Sequence, residues 1–300
     1  MPFAVKLALV VLGLCGAAYA AAPFDQDNAF YYLEAQCALG PRNPGSPGHA
    51  QCLAFLKREL ALWADTVYEQ PFEYKSPDTY ETLNLTNIIA RIHPAQRDRV
   101  LFSAHWDTRP FADRDPDPAK RKTPIPGADD GASGVAVLLE MARQLSANPV
   151  KVGVDIVLTD GEDYGREEVV ADYLLGAKYF AKNLPDPPPR FGILLDMIGQ
   201  RDLKIPMEEY SVKYAKPVMD KIWTAAARQN ATAFVRENGI PVIDDHLPML
   251  EQKIPMVDLI DFNYPYWHTT DDTPAHCSAN SLGQVGRTLM DVLAHEEVQQ

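Results

Sequence analysis

The sequence contains little cysteine and little positive charge. Its 300 residues include 4 Cys, with no CxxC pair and no Cys/His spacing typical of a metal site. Lys and Arg number 28 against 41 Asp and Glu, which gives a formal net charge of -13. Phosphate contacts need clustered cations, so we expect no nucleic-acid partner. A Gly-x-Ser-x-Gly nucleophile motif is also missing. The apolar fraction of 46% is ordinary for a globular chain and excludes a wholly disordered or collagenous protein.

Long apolar runs are confined to the first twenty residues. Lys6 precedes the apolar run 7–14, and Ala18-Tyr19-Ala20 is a small-x-small cleavage site. The run is shorter than the roughly 20 residues that span a bilayer. We therefore expect residues 1–20 to be a cleavable signal peptide, with an uncleaved anchor as the alternative. This predicts a secreted or periplasmic protein in which residues 21–300 form a single domain, with no stable membrane insertion after cleavage.

Three cysteines remain after such a cleavage, namely Cys37, Cys52 and Cys277. An odd number leaves at least one thiol unpaired within the chain. The sequence is compatible with a Cys37–Cys52 bridge between two N-terminal helices, and equally with three small buried apolar side chains.

Apolar segments of two kinds alternate along the chain. Short apolar runs predict strands buried on both faces, and amphipathic segments predict helices. Strands are expected over 66–74, 87–93, 100–105, 154–160, 192–199 and 256–261, and helices over 25–39, 47–64, 132–145, 172–183, 212–229 and 278–295. This alternation predicts an α/β fold, a three-layer α/β/α sandwich with a central mixed, mostly parallel sheet.

Two connections are long for a compact domain, 109–126 and 261–277. Loops of this length are often functional, and sites in open α/β sheets form at the carboxyl ends of the strands. The candidate site residues fall at such ends.

Five of these strand ends and loops contain an imidazole or a carboxylate. They contribute His105, Asp130, the pair Glu162-Asp163, Asp196 and His268. Each alone is more often a cap, a turn or a structural histidine, but the joint pattern is typical of a zinc site with mixed nitrogen and oxygen ligands. Asp107, two residues after His105, is suited to orient that imidazole.

The order of these residues resembles that of the zinc aminopeptidase family, and more closely that of the glutaminyl cyclases, which share its fold. The motifs that carry this resemblance are Asp196-Met197-Ile198-Gly199, Asp244-Asp245-His246 and Trp267-His268-Thr269. The segment from His105-Trp106-Asp107 to Asp163-Tyr164-Gly165 is most similar to the secreted bacterial members. The resemblance covers about residues 25–297.

The resemblance implies a zinc-dependent glutaminyl-peptide cyclotransferase, which converts the N-terminal glutamine of peptides and proteins to pyroglutamate and releases ammonia. One Zn²⁺ ion would be bound by Asp130, Asp163 and His268. Glu162 would be the general acid/base. Asp196 and Asp244 would form a carboxylate hydrogen-bond network around it.

Further residues receive roles from the same resemblance. Trp267, Asp245 and His246 would bind substrate, and His105 and Asp107 would serve a second metal or support the first. Asp258 stands where animal cyclases have a histidine. Asp163 stands where they have glutamate, which preserves an oxygen ligand.

Two alternatives remain open. A secreted two-zinc aminopeptidase would use the same residues, with His105, Asp130 and Asp196 holding the second ion and Glu162 activating a water molecule. A catalytically inactive binding ectodomain is disfavoured because the chain retains every ligand and Glu162.

Overall fold

The computed structural model describes residues 24–166 and 169–298, so the predicted signal peptide lies outside the described residues. The helices are α1 (Gln26–Cys37), α2 (Pro47–Trp63), α3 (Ala132–Ala147), α4 (Leu175–Lys182), α5 (Glu209–Arg228), α6 (His246–Glu251) and α7 (Ala279–Ala294). The strands are β1 (Thr66–Lys75), β2 (Thr82–Ile92), β3 (Arg99–His105), β4 (Gly153–Thr159), β5 (Phe191–Asp196), β6 (Ile205–Met207), β7 (Phe234–Asn238) and β8 (Met256–Ile260).

Six strands form one mixed sheet in the order β1-β2-β4-β3-β5-β8. The four strands β4, β3, β5 and β8 are mutually parallel, whereas β1 and β2 form an antiparallel pair at one side. Every residue of the four parallel strands is buried. Helices therefore cover both faces of the sheet, as continuous apolar strands require.

The two faces of the sheet have separate cores. Val100 and Phe102 of β3 pack in the larger core, whereas Leu101 between them packs in the smaller one, because successive strand side chains point to opposite faces. Helices α1, α2, α3, α5 and α7 form the layer on the larger core, and α4 and α6 form the layer on the smaller one. The predicted three-layer α/β/α sandwich is confirmed.

Helix α3 lies against β5 at a glycine. A Cβ atom at Gly134 would lie 2.2 Å from the Leu195 carbonyl oxygen, a distance that no side chain tolerates. This close approach places the amino end of α3 beside the carboxyl end of β5, where the candidate residues lie.

The structure departs from the sequence-based elements in several places. Strand β2 begins at Thr82 rather than at residue 87, because its first half pairs with the exposed strand β1 and has polar residues on one face. Strands β6 and β7 and the short helix α6 were not predicted. Helix α4 begins at Leu175, after a separate 3₁₀ turn at Val170–Asp172.

The cysteines follow one of the two alternatives that the sequence left open. Cys37, Cys52 and Cys277 are all free thiols, so the Cys37–Cys52 bridge is not formed. Burial raises the pKa of Cys37 to about 11 and that of Cys52 to about 12, which keeps both protonated. Within residues 24–166 and 169–298, no helix has the length and apolar character needed to cross a membrane.

Candidate active site

The candidate residues meet at the carboxyl ends of three adjacent strands. His105 and Asp196 are the last residues of β3 and β5, and the turn containing Glu162 follows β4. Asp130 precedes α3 at its amino end. His268 lies in the long loop after β8, and its side chain lies next to those of Asp130 and Asp163.

A cavity of about 350 Å³ opens at this point. Its acidic lining consists of Asp113, Asp130, Glu162, Asp163, Asp196 and Asp244. Two cations, Arg109 and Arg114, line it as well. Apolar side chains complete it, among them Met197, Val242, Ile260, Phe262 and Trp267. The excess of carboxylates suits a cationic ligand of small size.

One buried group of side chains has the donor atoms of a metal site. It consists of Asp130, Asp163 and His268. His268 Nε2 lies 3.3 Å from Asp163 Oδ2 and 3.7 Å from Asp130 Oδ2. These two oxygens are buried and have no hydrogen-bond partner. Unpartnered buried carboxylate oxygens are costly, and a cation bound beside an imidazole removes that cost. The donor set of one nitrogen and two oxygens therefore fits Zn²⁺.

The ionisable groups of Asp130, Asp163 and His268 shift one another's pKa values. Burial raises the pKa of Asp163, but the charges of His268 and Arg109 hold it below its ordinary value. Burial lowers the pKa of His268, but Asp163 and Asp113 raise it to about 9. Burial and the charge of Asp163 raise the pKa of Asp130. The site is thus built to hold positive charge between its carboxylates.

His105 belongs to a second group that shares Asp130. Its Nε2 lies 3.2 Å from Oδ1 of Asp130 and 3.2 Å from Oδ1 of Asp196. Burial lowers the pKa of His105, but its contacts with Asp107, Asp130 and Asp196 raise it well above the ordinary value. His105, Asp130 and Asp196 together could also hold a metal ion.

Asp107 fixes the turn that presents Glu162. Its Oδ1 accepts a hydrogen bond from the Glu162 backbone N–H at 3.0 Å, and its Oδ2 accepts one from the Asp163 backbone N–H at 3.3 Å. The same carboxylate lies 3.6 Å from His105 Nδ1. Asp107 therefore supports both groups from behind the cavity.

Glu162 is half-buried, and its carboxyl faces the cavity. One oxygen of Glu162 lies within 4.8 Å of carboxylate oxygens of Asp244 and Asp245. Burial and the charge of Asp163 raise the pKa of Glu162 well above its ordinary value. A carboxyl of this kind is suited to exchange protons with a bound ligand.

The residues of the Asp244-Asp245-His246 motif do not all lie at the cavity, because His246 lies in the protein interior. Asp244 lines the cavity, whereas Asp245 Oδ2 accepts a 2.5 Å hydrogen bond from the Thr159 hydroxyl. His246 is fully buried, 3.5 Å from Glu208 and 3.8 Å from Asp258. Its ring contacts these buried acids and is not among the side chains that line the cavity, so substrate binding by His246 stays a prediction.

Trp267 forms one side of the cavity, next to His268. Its ring stacks on His268 at 3.8 Å and lies 4.9 Å from Phe262. An aromatic surface at this position gives a bound ligand a flat apolar contact next to the ligand set.

Sequence reasoning did not identify Asp113 and Asp272. Asp113 Oδ1 lies 3.3 Å from His268 Nδ1. Asp272 accepts hydrogen bonds from the backbone N–H groups of Asp129 and Asp130, and from the Tyr264 hydroxyl. The only sequence signal for both was their location in long loops.

Comparison with known proteins places the chain in a family. Residues 87–293 match the model of peptidase family M28, over more than half of the chain. The chain belongs to peptidase family M28.

Within this family the chain is similar to glutaminyl cyclases. The crystal structure of Tannerella forsythia glutaminyl cyclase is 39% identical, with a TM-score of 0.88, over 92% of this chain and 100% of that chain. The glutaminyl-peptide cyclotransferase of Gloydius blomhoffii is 26% identical over 288 residues, covering 83% of this chain and 75% of the relative. A structure described as a leucine aminopeptidase precursor from Bacteroides thetaiotaomicron is 35% identical, with a TM-score of 0.89, over 93% of this chain and 99% of that chain.

Proposed function

We propose that the protein is a zinc-dependent glutaminyl-peptide cyclotransferase that converts the N-terminal glutamine of peptides and proteins to pyroglutamate and releases ammonia. The observation that carries the proposal is the position of Glu162 beside the group Asp130, Asp163 and His268, in a small acidic cavity bounded by Trp267. The similarity to glutaminyl cyclases along nearly the whole chain supports it.

The reaction requires orientation more than new functional groups. The α-amine of the terminal glutamine attacks its own γ-amide carbon, the amide C–N bond breaks and ammonia leaves. Both reacting groups belong to one molecule, so a cavity that folds the glutamine side chain onto its amine lowers the entropic cost. The acidic lining attracts the protonated N-terminus, and Trp267 offers an apolar surface to the substrate.

Asp130, Asp163 and His268 would bind one Zn²⁺ ion, which supplies Lewis-acid polarisation of the γ-carbonyl when bound. Glu162 then accepts the proton from the attacking amine and donates one to the leaving ammonia. Its raised pKa suits this double role. Asp196 and Asp244 line the same cavity and complete the carboxylate network around it.

His105 and Asp107 support this site rather than bind a second ion. Asp107 holds the turn of Glu162, and His105 places positive charge between Asp130 and Asp196. Asp245 accepts a hydrogen bond from the Thr159 hydroxyl and lies near Glu162, where it supports the same carboxylate network. We further propose that residues 1–20 are a signal peptide and that residues 21–300 form the catalytic domain of a secreted or periplasmic protein.

A second candidate function is a two-zinc aminopeptidase. The group His105, Asp130 and Asp196 favours it, because these side chains offer donors within 4.8 Å of one another. In that enzyme Glu162 would activate water, and the first peptide bond would be hydrolysed.

Product identity separates the two functions. The mature protein would be incubated with a peptide that begins Gln-Phe, beside an enzyme-free control for spontaneous cyclisation and a sample treated with a zinc chelator. Mass spectrometry is expected to show loss of one ammonia from an otherwise intact peptide, and chelation is expected to abolish it. Free glutamine and a shortened peptide would identify an aminopeptidase and contradict the proposal.

A further inference from the structure

The loop between β3 and α3 contacts the segment of His268 at several points. The backbone N–H of Arg114 donates to the His268 carbonyl at 3.2 Å. Asp115 Oδ2 accepts from the backbone N–H of Thr270 at 3.0 Å and from its hydroxyl at 2.6 Å. The Asp113 carboxylate lies beside the imidazole itself. This loop is the long connection 109–126, which the proposed reaction leaves without a role.

His268 needs such support because its backbone is in an unfavourable conformation. Its φ of 55° lies in the left-handed region, which residues other than glycine seldom adopt. Such residues persist where the surrounding contacts determine the conformation, often at functional sites. The contacts from Arg114 and Asp115 hold the backbone at the His268 carbonyl and at Thr270, directly after the ring.

The contact with Asp113 selects the metal-binding nitrogen of His268. Asp113 Oδ1 lies 3.3 Å from Nδ1, so Nδ1 carries the proton and the lone pair remains on Nε2. Nε2 is the nitrogen that faces Asp163 and Asp130. A carboxylate behind a ligating histidine also fixes the orientation of the ring.

Arg109 joins this carboxylate to a second ligand. Its Nε and Nη2 donate to the two oxygens of Asp113 at 3.0 and 2.7 Å. Its Nη1 donates to Asp163 Oδ1 at 2.7 Å, which leaves Asp163 Oδ2 directed at His268. The guanidinium is 1% exposed. The rigid planar fork therefore fixes one ligand directly and the other through Asp113.

We propose that Arg109 and Asp113 are positioning residues for zinc, which form one bridge behind the ligands Asp163 and His268 and set the affinity of the site for the metal. The inference rests on the proposed function in that it takes Asp130, Asp163 and His268 as the zinc ligands. It assigns to the loop 109–126 the task of holding the ligand set in place before metal or substrate binds.

Zinc affinity measured by competition with a chromophoric chelator tests the bridge in the absence of substrate. Asp113→Ala is expected to weaken zinc binding about 10- to 100-fold, the range typical of partners behind metal ligands. Asp113→Asn retains an acceptor oxygen and is expected to lose less. Asp117→Ala is the matched control, because Asp117 is exposed in the same loop and its side chain accepts from the Ala119 backbone N–H, away from the ligands; wild-type affinity is expected.

A double variant tests whether the two residues act as one bridge. Arg109→Lys preserves the charge but one ammonium does not reproduce the fork, so zinc binding is expected to weaken. Combined with Asp113→Ala, the loss is expected to be smaller than the product of the two separate losses. Independent, multiplying losses would contradict a shared bridge.

Two further measurements separate positioning from folding and from the proposed function. The absorption spectrum of the Co²⁺-substituted Asp113→Ala protein is expected to change, because the histidine ligand is no longer oriented. Unchanged zinc affinity and an unchanged spectrum, with only a lower unfolding temperature of the zinc-free protein, would overturn the proposal. If His268→Ala also binds zinc like the wild type, the ligand assignment fails; if only Asp113→Ala does, the positioning role alone fails.

Discussion

The Nε2 atom of His105 lies 3.2 Å from Oδ1 of Asp196. These are the two side chains that a second metal ion would need in addition to Asp130, and they are already in contact with each other. A protonated imidazole between two buried carboxylates supplies a positive charge, which offsets the cost of removing their negative charge from water. The raised pKa of His105 agrees with this arrangement. A protein that works with one zinc ion, as we propose, would keep His105 in this role.

Metal content distinguishes the two histidines. We expect the wild-type protein to retain about one Zn²⁺ per chain after dialysis, because the proposed site of Asp130, Asp163 and His268 supplies the three protein ligands of one catalytic zinc ion. His268→Ala removes a ligand and is expected to lose most of the metal, whereas His105→Ala is expected to retain it. His295→Ala, at an exposed position, is the control. Elemental analysis of the purified variants measures the ratio. Two ions in the wild type and one in His105→Ala would instead support the two-zinc aminopeptidase.

Replacement of Glu162 separates chemistry from metal binding. Glu162→Gln preserves shape but exchanges no proton, so turnover is expected to fall about 10²- to 10⁴-fold while the zinc content is unchanged. Glu251→Gln, on the exposed side of α6, is the matched control and is expected to behave like the wild type. Steady-state kinetics of ammonia release measures the effect. A fully active Glu162→Gln protein would remove the assigned role.

Trp267 is expected to act mainly on substrate binding. Its removal takes away an apolar surface beside the ligand set, so Trp267→Ala is expected to raise KM about tenfold or more, with a smaller change in kcat. Trp267→Phe keeps an aromatic ring and is expected to restore much of the affinity. Because the ring stacks on His268, zinc content is measured in parallel. Unchanged KM in the alanine variant would show that the tryptophan does not contact the substrate.

Glu208 gives a prediction for stability against pH. Its carboxylate caps α5 by accepting from the backbone N–H groups of Tyr210 and Ser211, and it also accepts from Val242 N–H. Burial raises its pKa, but the His246 imidazole 3.5 Å away and hydrogen bonds from Ser211 lower it from the ordinary 4.5 to about 2. Glu208→Ala is expected to reduce the free energy of unfolding by about 1–3 kcal/mol near pH 7.

The sign of the pH dependence follows from the lowered pKa of Glu208. The folded state prefers the charged carboxylate, so its contribution is complete above the unfolded pKa of 4.5 and is lost as the pH falls towards 2. The difference between wild type and Glu208→Ala is therefore expected to shrink over that range in urea unfolding experiments. Glu209→Ala, next to it and exposed, is expected to have a smaller effect. A difference that grows on acidification would contradict the account.

The strand ends were predictable because their chemistry is local. A buried apolar run followed by a polar residue identifies where His105 and Asp196 lie, and parallel strands bring such ends together at one edge of the sheet. The strands and helices that were predicted occur in the predicted order for the same reason, although β6, β7 and α6 were not among them. The short helix α6 escaped prediction because six residues that include Pro248 show no helical period.

Contacts made by long loops were not predictable in the same way. The distance between Asp113 and His268 depends on how two irregular segments pack, and no periodic pattern in the sequence predicts it. The inward position of His246 likewise depends on the buried acids Glu208 and Asp258, which come from distant parts of the chain. The family resemblance placed the motif correctly in the sequence but did not determine which of its side chains reach the cavity.

The central claim is that the α-amine of the substrate is the nucleophile of the reaction. Conversion of the substrate in labelled water tests this claim most directly. A peptide beginning with glutamine would be converted in water labelled with the heavy isotope of oxygen, and the products weighed by mass spectrometry. Attack by the α-amine predicts a peptide lighter by one ammonia and free of label, since water takes no part in bond formation. Heavy oxygen in released glutamine, or in a terminal glutamate, would show that water is the nucleophile and would contradict the account.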